Sequence, residues 1–175
     1  MRSVRAEGYI YLVLFGLSIP IANWMIGNVG TFCVPDGPCI IPVGFGLTAP
    51  SGVLVVGLAF VLRDLVQRRL GTWWAVAGIL IGAGLSAFLA PPALVMASGT
   101  AFLLSEFADF AVYTPLQRKR LILAVFASSL VGLVIDSIVF LYLAFGSLDF
   151  LAGQFLGKAW MVLIALPFIW WLRQA

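Results

Sequence analysis

Six ionisable side chains lie within or at the ends of apolar stretches of the sequence, where each needs a partner or water. They are Arg63, Asp64, Glu106, Asp109, Asp136 and Lys158. Near the centre of an isolated membrane helix, each would cost about 2.5 to 3.5 kcal/mol. Several such costs approach a whole domain's stability of about 5 to 15 kcal/mol. These groups must therefore pair, lie in a water-filled cavity or lie near an interface. In a cavity they could hydrogen-bond a polar solute or bind protons.

Other chemistry is disfavoured by the motifs that the sequence lacks. The chain contains no histidine, and neither Cys33 nor Cys39 lies in a predicted helix. Neither a G-x-S-x-G nucleophile motif nor a phosphate-binding P-loop occurs. We therefore expect no enzyme, no metal site, no cofactor and no ATP-driven pumping by this chain alone.

The composition is typical of a membrane protein. Of the 175 residues, 63% are hydrophobic and 10% are charged, whereas soluble domains carry roughly 25% charged residues. The mean hydropathy is +1.13. The formal net charge is +3, but the basic residues fall in separate short loops, which indicates membrane topology rather than nucleic-acid binding. The lipid bilayer is the expected partner.

Six apolar runs predict six membrane-spanning helices, each close to the length of about 20 residues that a span needs. The runs cover residues 9–26, 47–62, 73–90, 93–113, 121–145 and 155–172. Pro91-Pro92 separates the third run from the fourth as a tight turn, because a residue before proline disfavours the helical conformation. The first run is too long for a signal peptide and lacks a cleavage site, so we interpret it as a retained helix. The sequence thus predicts an all-α membrane protein with one six-helix domain over residues 1–175.

Basic residues outside the runs all fall on one side of this six-span topology. They are Arg2, Arg5, Arg63, Arg68, Arg69, Arg118, Lys119, Arg120 and Arg173. The loops on the other side contain no lysine or arginine and carry only Asp36 and Asp149. By the positive-inside rule, the basic side is the cytoplasm. We therefore predict that both termini are cytoplasmic and that the chain lies in the inner (plasma) membrane of a bacterium.

The first outer loop, residues 27–46, is mostly apolar but rich in glycine and proline, so it cannot be a regular helix. It either folds over the outer mouth of the bundle as a lid or forms an ordinary interfacial loop. Cys33 and Cys39 lie in this loop on the oxidising side, so they either form a disulfide or remain two free thiols. Their spacing without any histidine is poor evidence for a metal site.

A rise of about 1.5 Å per helical residue sorts the charged side chains into two layers. The inner layer contains Arg63, Asp64, Glu106 and Asp109, and the outer layer contains Asp136 and Lys158 with Asn23, Ser128 and Ser129 as hydrogen-bonding groups. The alternative for the inner layer is that it anchors the bundle at the lipid headgroups. Carboxylates at two depths, one lysine and aromatic residues such as Trp24 favour a site for a small, planar, polar solute. A transporter fits these features best, and a homo-oligomer is compatible with them.

Five ordered motifs resemble one family over essentially the whole chain. They are Ala22-Asn23, Arg63-Asp64 with Gly71, Ser105-Glu106-Phe107-Ala108-Asp109 with Tyr113 and Arg118, Ser128-Ser129 with Gly132 and Asp136, and Gly157-Lys158. This set is similar to the queuosine-precursor transporter family, also called the vitamin uptake transporter family. The resemblance implies six helices and the import of 7-deazaguanine bases such as 7-cyano-7-deazaguanine.

The resemblance also implies which residues form the site. The implied substrate-binding residues are Asn23, Glu106, Asp109, Ser129, Asp136 and Lys158, beside Trp24 from the aromatic residues, with Arg63 and Asp64 as a gate or ion pair. Glu106 and Asp136 would hydrogen-bond the amidine-like edge of the base. Lys158 would neutralise Asp136 or contact the base carbonyl.

Three functions remain open on the sequence. The first is secondary transport, with proton coupling as an option because carboxylates can carry protons. The second is a substrate-binding subunit of an ATP-driven vitamin or nucleobase uptake complex. The third is a membrane interaction protein that transports nothing and uses its charges to specify helix pairing.

Overall fold

The computed structural model describes residues 2–35, 37–90 and 92–174, with side chains undescribed at residues 2–4, 93 and 171–174. In this part of the chain, the backbone forms a mostly helical bundle with one small sheet. Its α-helices are α1 Arg2–Asn28, α2 Val53–Leu70, α3 Thr72–Leu89, α4 Val95–Leu116, α5 Leu121–Phe145 and α6 Leu151–Gln174. The predicted turn residue Pro91, the loop residue Asp36 and the side chains of Arg2 and Arg173 lie outside the described residues.

Among the described residues, five helices are long and apolar enough to cross a membrane. They cover Arg5–Asn28, Thr72–Leu89, Val95–Leu116, Leu121–Phe145 and Leu151–Trp170. Large apolar side chains such as Ile10, Ile81 and Ile164 are exposed on their outward faces. Such faces suit contact with lipid tails rather than water. The helix α2 differs because four of its 18 residues are charged.

The helix α2 lies at the centre of the bundle and packs against α1, α3, α4, α5 and α6. Arg63 and Asp64 are among its buried residues. Gly57 allows α6 to approach closely, because a Cβ atom at this position would lie 2.7 Å from the carbonyl oxygen of Lys158. Small residues permit such close helix crossings in membrane proteins. Arg63 and Asp64 are therefore surrounded by protein, whereas Arg68 and Arg69 at the end of α2 remain at least partly exposed.

The segment predicted as the first outer loop contains a three-stranded antiparallel sheet in the order β1-β2-β3, so the all-α prediction is wrong for this segment. The strands are β1 Phe32–Cys33, β2 Cys39–Gly44 and β3 Leu47–Pro50. β-Branched residues in β2 favour a strand. Phe45 and Gly46 form the tight turn to β3 with φ of 53° and 75°, the left-handed conformation that two-residue hairpins favour. The predicted second helix therefore begins at Val53 and not at residue 47.

The sheet packs against one end of the bundle, which we call the sheet end. The Nε1 of Trp160 in α6 donates to the carbonyl oxygen of Val43 in β2 at 3.0 Å. Ser51 Oγ, directly after β3, donates to the carbonyl oxygen of Met25 in α1 at 2.6 Å. Cys33 and Cys39 are directly paired across β1 and β2, and their Sγ atoms are bonded as a disulfide. The segment is thus a folded cap attached to α1 and α6.

Candidate functional site

Arg63 holds three carboxylates in the interior of the bundle. Its Nη1 lies 3.0 Å from Asp64 Oδ1, and its Nε donates to Glu106 Oε2 at 3.2 Å. Its Nη2 donates to Asp109 Oδ1. The planar guanidinium presents several donors in fixed directions, which suits contact with more than one carboxylate. We call Arg63, Asp64, Glu106 and Asp109 the Arg63 cluster.

Neutral groups complete the Arg63 cluster. Arg63 Nη1 also donates to Gln67 Oε1 at 3.1 Å, and Ser128 Oγ donates to Asp64 Oδ2 at 3.0 Å. Ser128 had been placed in the outer layer, and that prediction is wrong. The ring of Tyr113 lies under the guanidinium, with 5.6 Å between its centroid and Arg63 Cζ, a distance at which cations and aromatic rings attract.

The Arg63 cluster is closed off from the surroundings of the protein. Arg63, Asp64 and Asp109 are 0% exposed and Glu106 is 1% exposed. These side chains contact one another inside the bundle and do not lie at its surface. Removing the arginine would leave the carboxylates buried without a cation, and removing the carboxylates would leave the arginine buried without an anion. Both changes are strongly unfavourable.

A second ion pair joins α5 and α6 nearer the sheet end. Lys158 Nζ donates to Asp136 Oδ2 at 2.5 Å and to Ser137 Oγ at 2.7 Å. Ser137 Oγ in turn donates to the carbonyl oxygen of Leu133 at 2.6 Å, so its own lone pairs are free to accept from the lysine. Lys158 is 1% exposed, whereas Asp136 is 8% exposed. The carboxylate is thus the more accessible partner.

A cavity of about 70 Å³ lies between the two charged groups. It can hold several water molecules, because each needs about 10–15 Å³ of such space. Glu106 from the Arg63 cluster and Asp136 from the second pair both line it. The other polar lining residues are Ser18, Asn23, Ser86, Ser98, Ser105 and Gln154, and the aromatic ones are Phe60, Phe102 and Phe140. Each charged group therefore contributes one carboxylate to the cavity, while its cation lies behind.

A family model described as "Putative vitamin uptake transporter" matches residues 85–172, just over half of the chain. The chain belongs to this family. Together with the apolar helices, this membership makes it a multi-pass membrane protein of a transporter family. No curated protein and no solved structure matches the chain.

The match to the vitamin uptake transporter family covers α4, α5 and most of α6. It includes Glu106, Asp136 and Lys158 and leaves out Asn23 and Arg63. The motifs that resemble this family in the sequence extend over essentially the whole chain, whereas the family model matches only residues 85–172. The second half of the chain nevertheless contributes both cavity carboxylates of this family member.

The structure brings three of the predicted substrate-binding residues to the cavity: Asn23, Glu106 and Asp136. Asn23 also donates from Nδ2 to the carbonyl oxygen of Ile19 on its own helix at 3.0 Å. Asp109, Lys158 and Ser129 are buried but are not among the residues that line the cavity. Ser129 Oγ has no hydrogen-bond partner among the described residues.

Trp24 lies away from the cavity, contrary to its predicted role. Its side chain is 59% exposed on the surface of the bundle. Ala22 and Ile26, one helical turn apart, are buried and line the cavity. Trp24 is two residues from each of them, which places it on the opposite side of the helix. The aromatic surfaces of the cavity are supplied instead by Phe60, Phe102 and Phe140.

Gln154 is the main cavity residue that the sequence analysis missed. It had been assigned to the outer loop, but α6 begins at Leu151 and includes it. A signal was available, because Gln154 precedes Lys158 by four residues and residues i and i+4 share a helix face. The phenylalanines carry no comparable signal, since apolar residues face both the lipid and the interior.

Proposed function

We propose that this member of the vitamin uptake transporter family imports 7-deazaguanine bases, such as the queuosine precursor 7-cyano-7-deazaguanine, across the bacterial inner membrane. The observation that carries the proposal is the cavity with Glu106 and Asp136 among aromatic walls. A guanine-type base has an edge of N–H donors that match carboxylate acceptors. Its flat faces match aromatic side chains. Family membership supports transport, and the sequence motifs support this class of base.

In this proposal the carboxylates bind the base and the cations position the carboxylates. Arg63 holds Glu106 through Nε, and Lys158 holds Asp136 through Nζ. Lys158 is directed to Asp136 and Ser137, so we assign it to neutralising Asp136 rather than to the base carbonyl. Fixed carboxylates bind a ligand with a smaller entropic cost than mobile ones.

A queuosine assay tests the proposed substrate. The chain is expressed in a bacterium that cannot make the deazaguanine base, 7-cyano-7-deazaguanine is supplied at low external concentration, and queuosine is measured in the tRNA. We expect rescue by the wild type and at least a tenfold loss for Glu106→Gln, which removes a charged acceptor. Glu7→Gln, at a partly buried position outside the cavity lining, serves as the matched control and should rescue fully. Absence of rescue by a correctly inserted wild type would exclude this substrate.

Proteoliposomes containing the purified chain alone distinguish the modes of transport. A secondary transporter takes up the base without a partner, and coupling to protons makes uptake depend on an imposed proton gradient. A substrate-binding subunit of an ATP-driven complex binds the base but does not move it. A membrane interaction protein does neither.

We further propose that α2 is a sixth membrane span within one domain over residues 1–175, with both termini in the cytoplasm. The five surrounding helices and the internal partners of Arg63 support this, because a charged helix can cross a bilayer where protein satisfies it. The basic residues between α4 and α5 support a cytoplasmic location for that turn.

Cysteine labelling in intact cells tests this topology. Asp149→Cys, between α5 and α6, should react with a membrane-impermeant maleimide. Lys119→Cys, between α4 and α5, should react only after the cells are permeabilised. The parent protein should stay unlabelled, because Cys33 and Cys39 are bonded to each other. The reverse labelling pattern would contradict the proposed orientation.

A further inference from the structure

We infer that Gln154 determines specificity in this cavity by accepting a hydrogen bond from the five-membered-ring N–H of the base, the N9–H. This selects the free base over forms that lack that donor, nucleosides included. The inference rests on the proposed function and names a contact that neither the family match nor the sequence motifs assign.

The first observation is an unused acceptor. Gln154 lines the cavity and is 3% exposed. Its Oε1 is buried and has no hydrogen-bond partner among the described residues. A buried carbonyl without a donor is unfavourable, and most such atoms in proteins are paired. A ligand that donates to this oxygen would remove the penalty, whereas one without the donor would leave it in place.

The second observation is that the backbone of Gln154 is held in place. Its N–H donates to the carbonyl oxygen of Phe150 at 2.8 Å. The preceding residue, Gly153, packs so tightly on β3 that a Cβ atom there would lie 1.9 Å from the carbonyl oxygen of Thr48. One turn later, Lys158 is tied to Asp136. The amide therefore stands on a fixed turn of helix, as a residue that reads a ligand atom should.

The third step assigns the donor. A free 7-deazaguanine base carries N–H donors on its amidine-like edge and one more on the five-membered ring. Among the described residues, Glu106 and Asp136 are the two carboxylates that line the cavity, and they take the amidine-like edge in the proposed function. The ring N–H is then the donor left for the neutral carbonyl of Gln154. A neutral acceptor suits this position, because a third carboxylate would add another buried negative charge.

Binding to the purified protein tests the assignment with two ligands of equal shape. One is 7-cyano-7-deazaguanine, and the other carries a ring oxygen in place of its N9–H. The wild type should bind the first about tenfold or more tightly than the second, because the second leaves Oε1 unpaired. Gln154→Met removes the acceptor while keeping an unbranched side chain. It should lose about tenfold in affinity for the first ligand and distinguish the two by less than about threefold.

Two further variants separate hydrogen bonding from folding. Gln154→Glu keeps an acceptor oxygen and should retain the preference for the N–H ligand. Gln117→Met makes the same change at the turn after α4, outside the cavity lining, and should bind as the wild type does. Without ligand, Gln154→Met should unfold at a temperature no lower than the wild type, because it removes an unpaired buried carbonyl. Gln154→Glu should unfold at a lower temperature, because it buries another carboxylate. Weaker binding by a Gln154→Met variant of undiminished stability then arises at the site.

The outcomes separate this inference from the proposed function. Equal weakening of both ligands by Gln154→Met, or no weakening, overturns the inference while queuosine rescue still supports the substrate. If rescue fails but guanine binds with the same dependence on Gln154 and on N9–H, the inference stands and the proposed substrate falls. If the wild type binds neither guanine nor the deazaguanine base, both are overturned.

Discussion

Arg63→Met is expected to destabilise the folded protein by about 3–5 kcal/mol, the usual result of removing one partner from a buried ion pair. The substitution leaves Asp64, Glu106 and Asp109 inside the bundle without their shared cation. Arg63→Lys should also destabilise, because one ammonium group cannot reproduce the directions of the guanidinium fork. The measurement is the fraction of monodisperse protein that remains after heating in detergent.

Arg69→Met provides the control on the same helix. Arg69 Nη2 lies 3.0 Å from Glu7 Oε2, but the two side chains are 16% and 40% exposed. Such a pair contributes about 0–1 kcal/mol. Similar melting of the Arg63→Met and Arg69→Met variants would show that the carboxylates of the Arg63 cluster do not need their cation.

Asp136→Asn and Lys158→Met should each abolish uptake and destabilise the protein, whereas the double variant should regain stability but not uptake. Each single change leaves one charge of a buried pair uncompensated, at about 3–5 kcal/mol. The double change removes both charges, so its effect should be much smaller than the sum. Uptake stays lost because Asp136 lines the cavity. The neutral amide of asparagine accepts a hydrogen bond from the base more weakly than the charged carboxylate does. Thermal unfolding and tRNA queuosine report the two properties separately.

Ser137→Ala is the matched control for the pair. It removes one hydrogen bond to Lys158, which should cost about 0.5–1.5 kcal/mol. Uptake should be retained, because Ser137 is not among the lining residues. Wild-type uptake by the Asp136→Asn, Lys158→Met double variant would instead show that this pair is structural.

The extents of α3 and α5 followed from the sequence, whereas α1 and α6 begin several residues before their predicted runs. The predicted run 121–145 coincides with α5, and the run 73–90 differs from α3 by one residue at each end. Long apolar runs between basic or proline-containing turns leave the backbone few alternatives to a helix in a membrane. The start of α2 was missed because an apolar run does not distinguish a strand from a helix. The signal for the hairpin was Gly44-Phe45-Gly46 between two short apolar segments.

The grouping of the charged residues was also predictable from the sequence. The exception is Ser128, which was placed at the wrong level along α5. Arg63 was predicted to lie in one inner layer with Glu106 and Asp109, because α2 and α4 bring these residues to one level, and it is their shared cation in the structure. Ser128 was placed beside Asp136 although it precedes it by eight residues, or about 12 Å of helix. That spacing places it at the level of Asp64, to which it donates.

By itself, the sequence determined that charges lie inside a membrane bundle, that they must be compensated and that they occupy two levels. These conclusions depend on chain order, helical rise and the energy of a buried charge, all of which are local. The tertiary structure decided that Glu106 and Asp136 face the cavity, that Asp109 and Lys158 lie behind them, and that Gln154 joins the lining. Which side chains face the cavity depends on how each helix is rotated about its axis and where it crosses its neighbours. Contacts distant in sequence, such as Gly57 against Lys158, set that rotation.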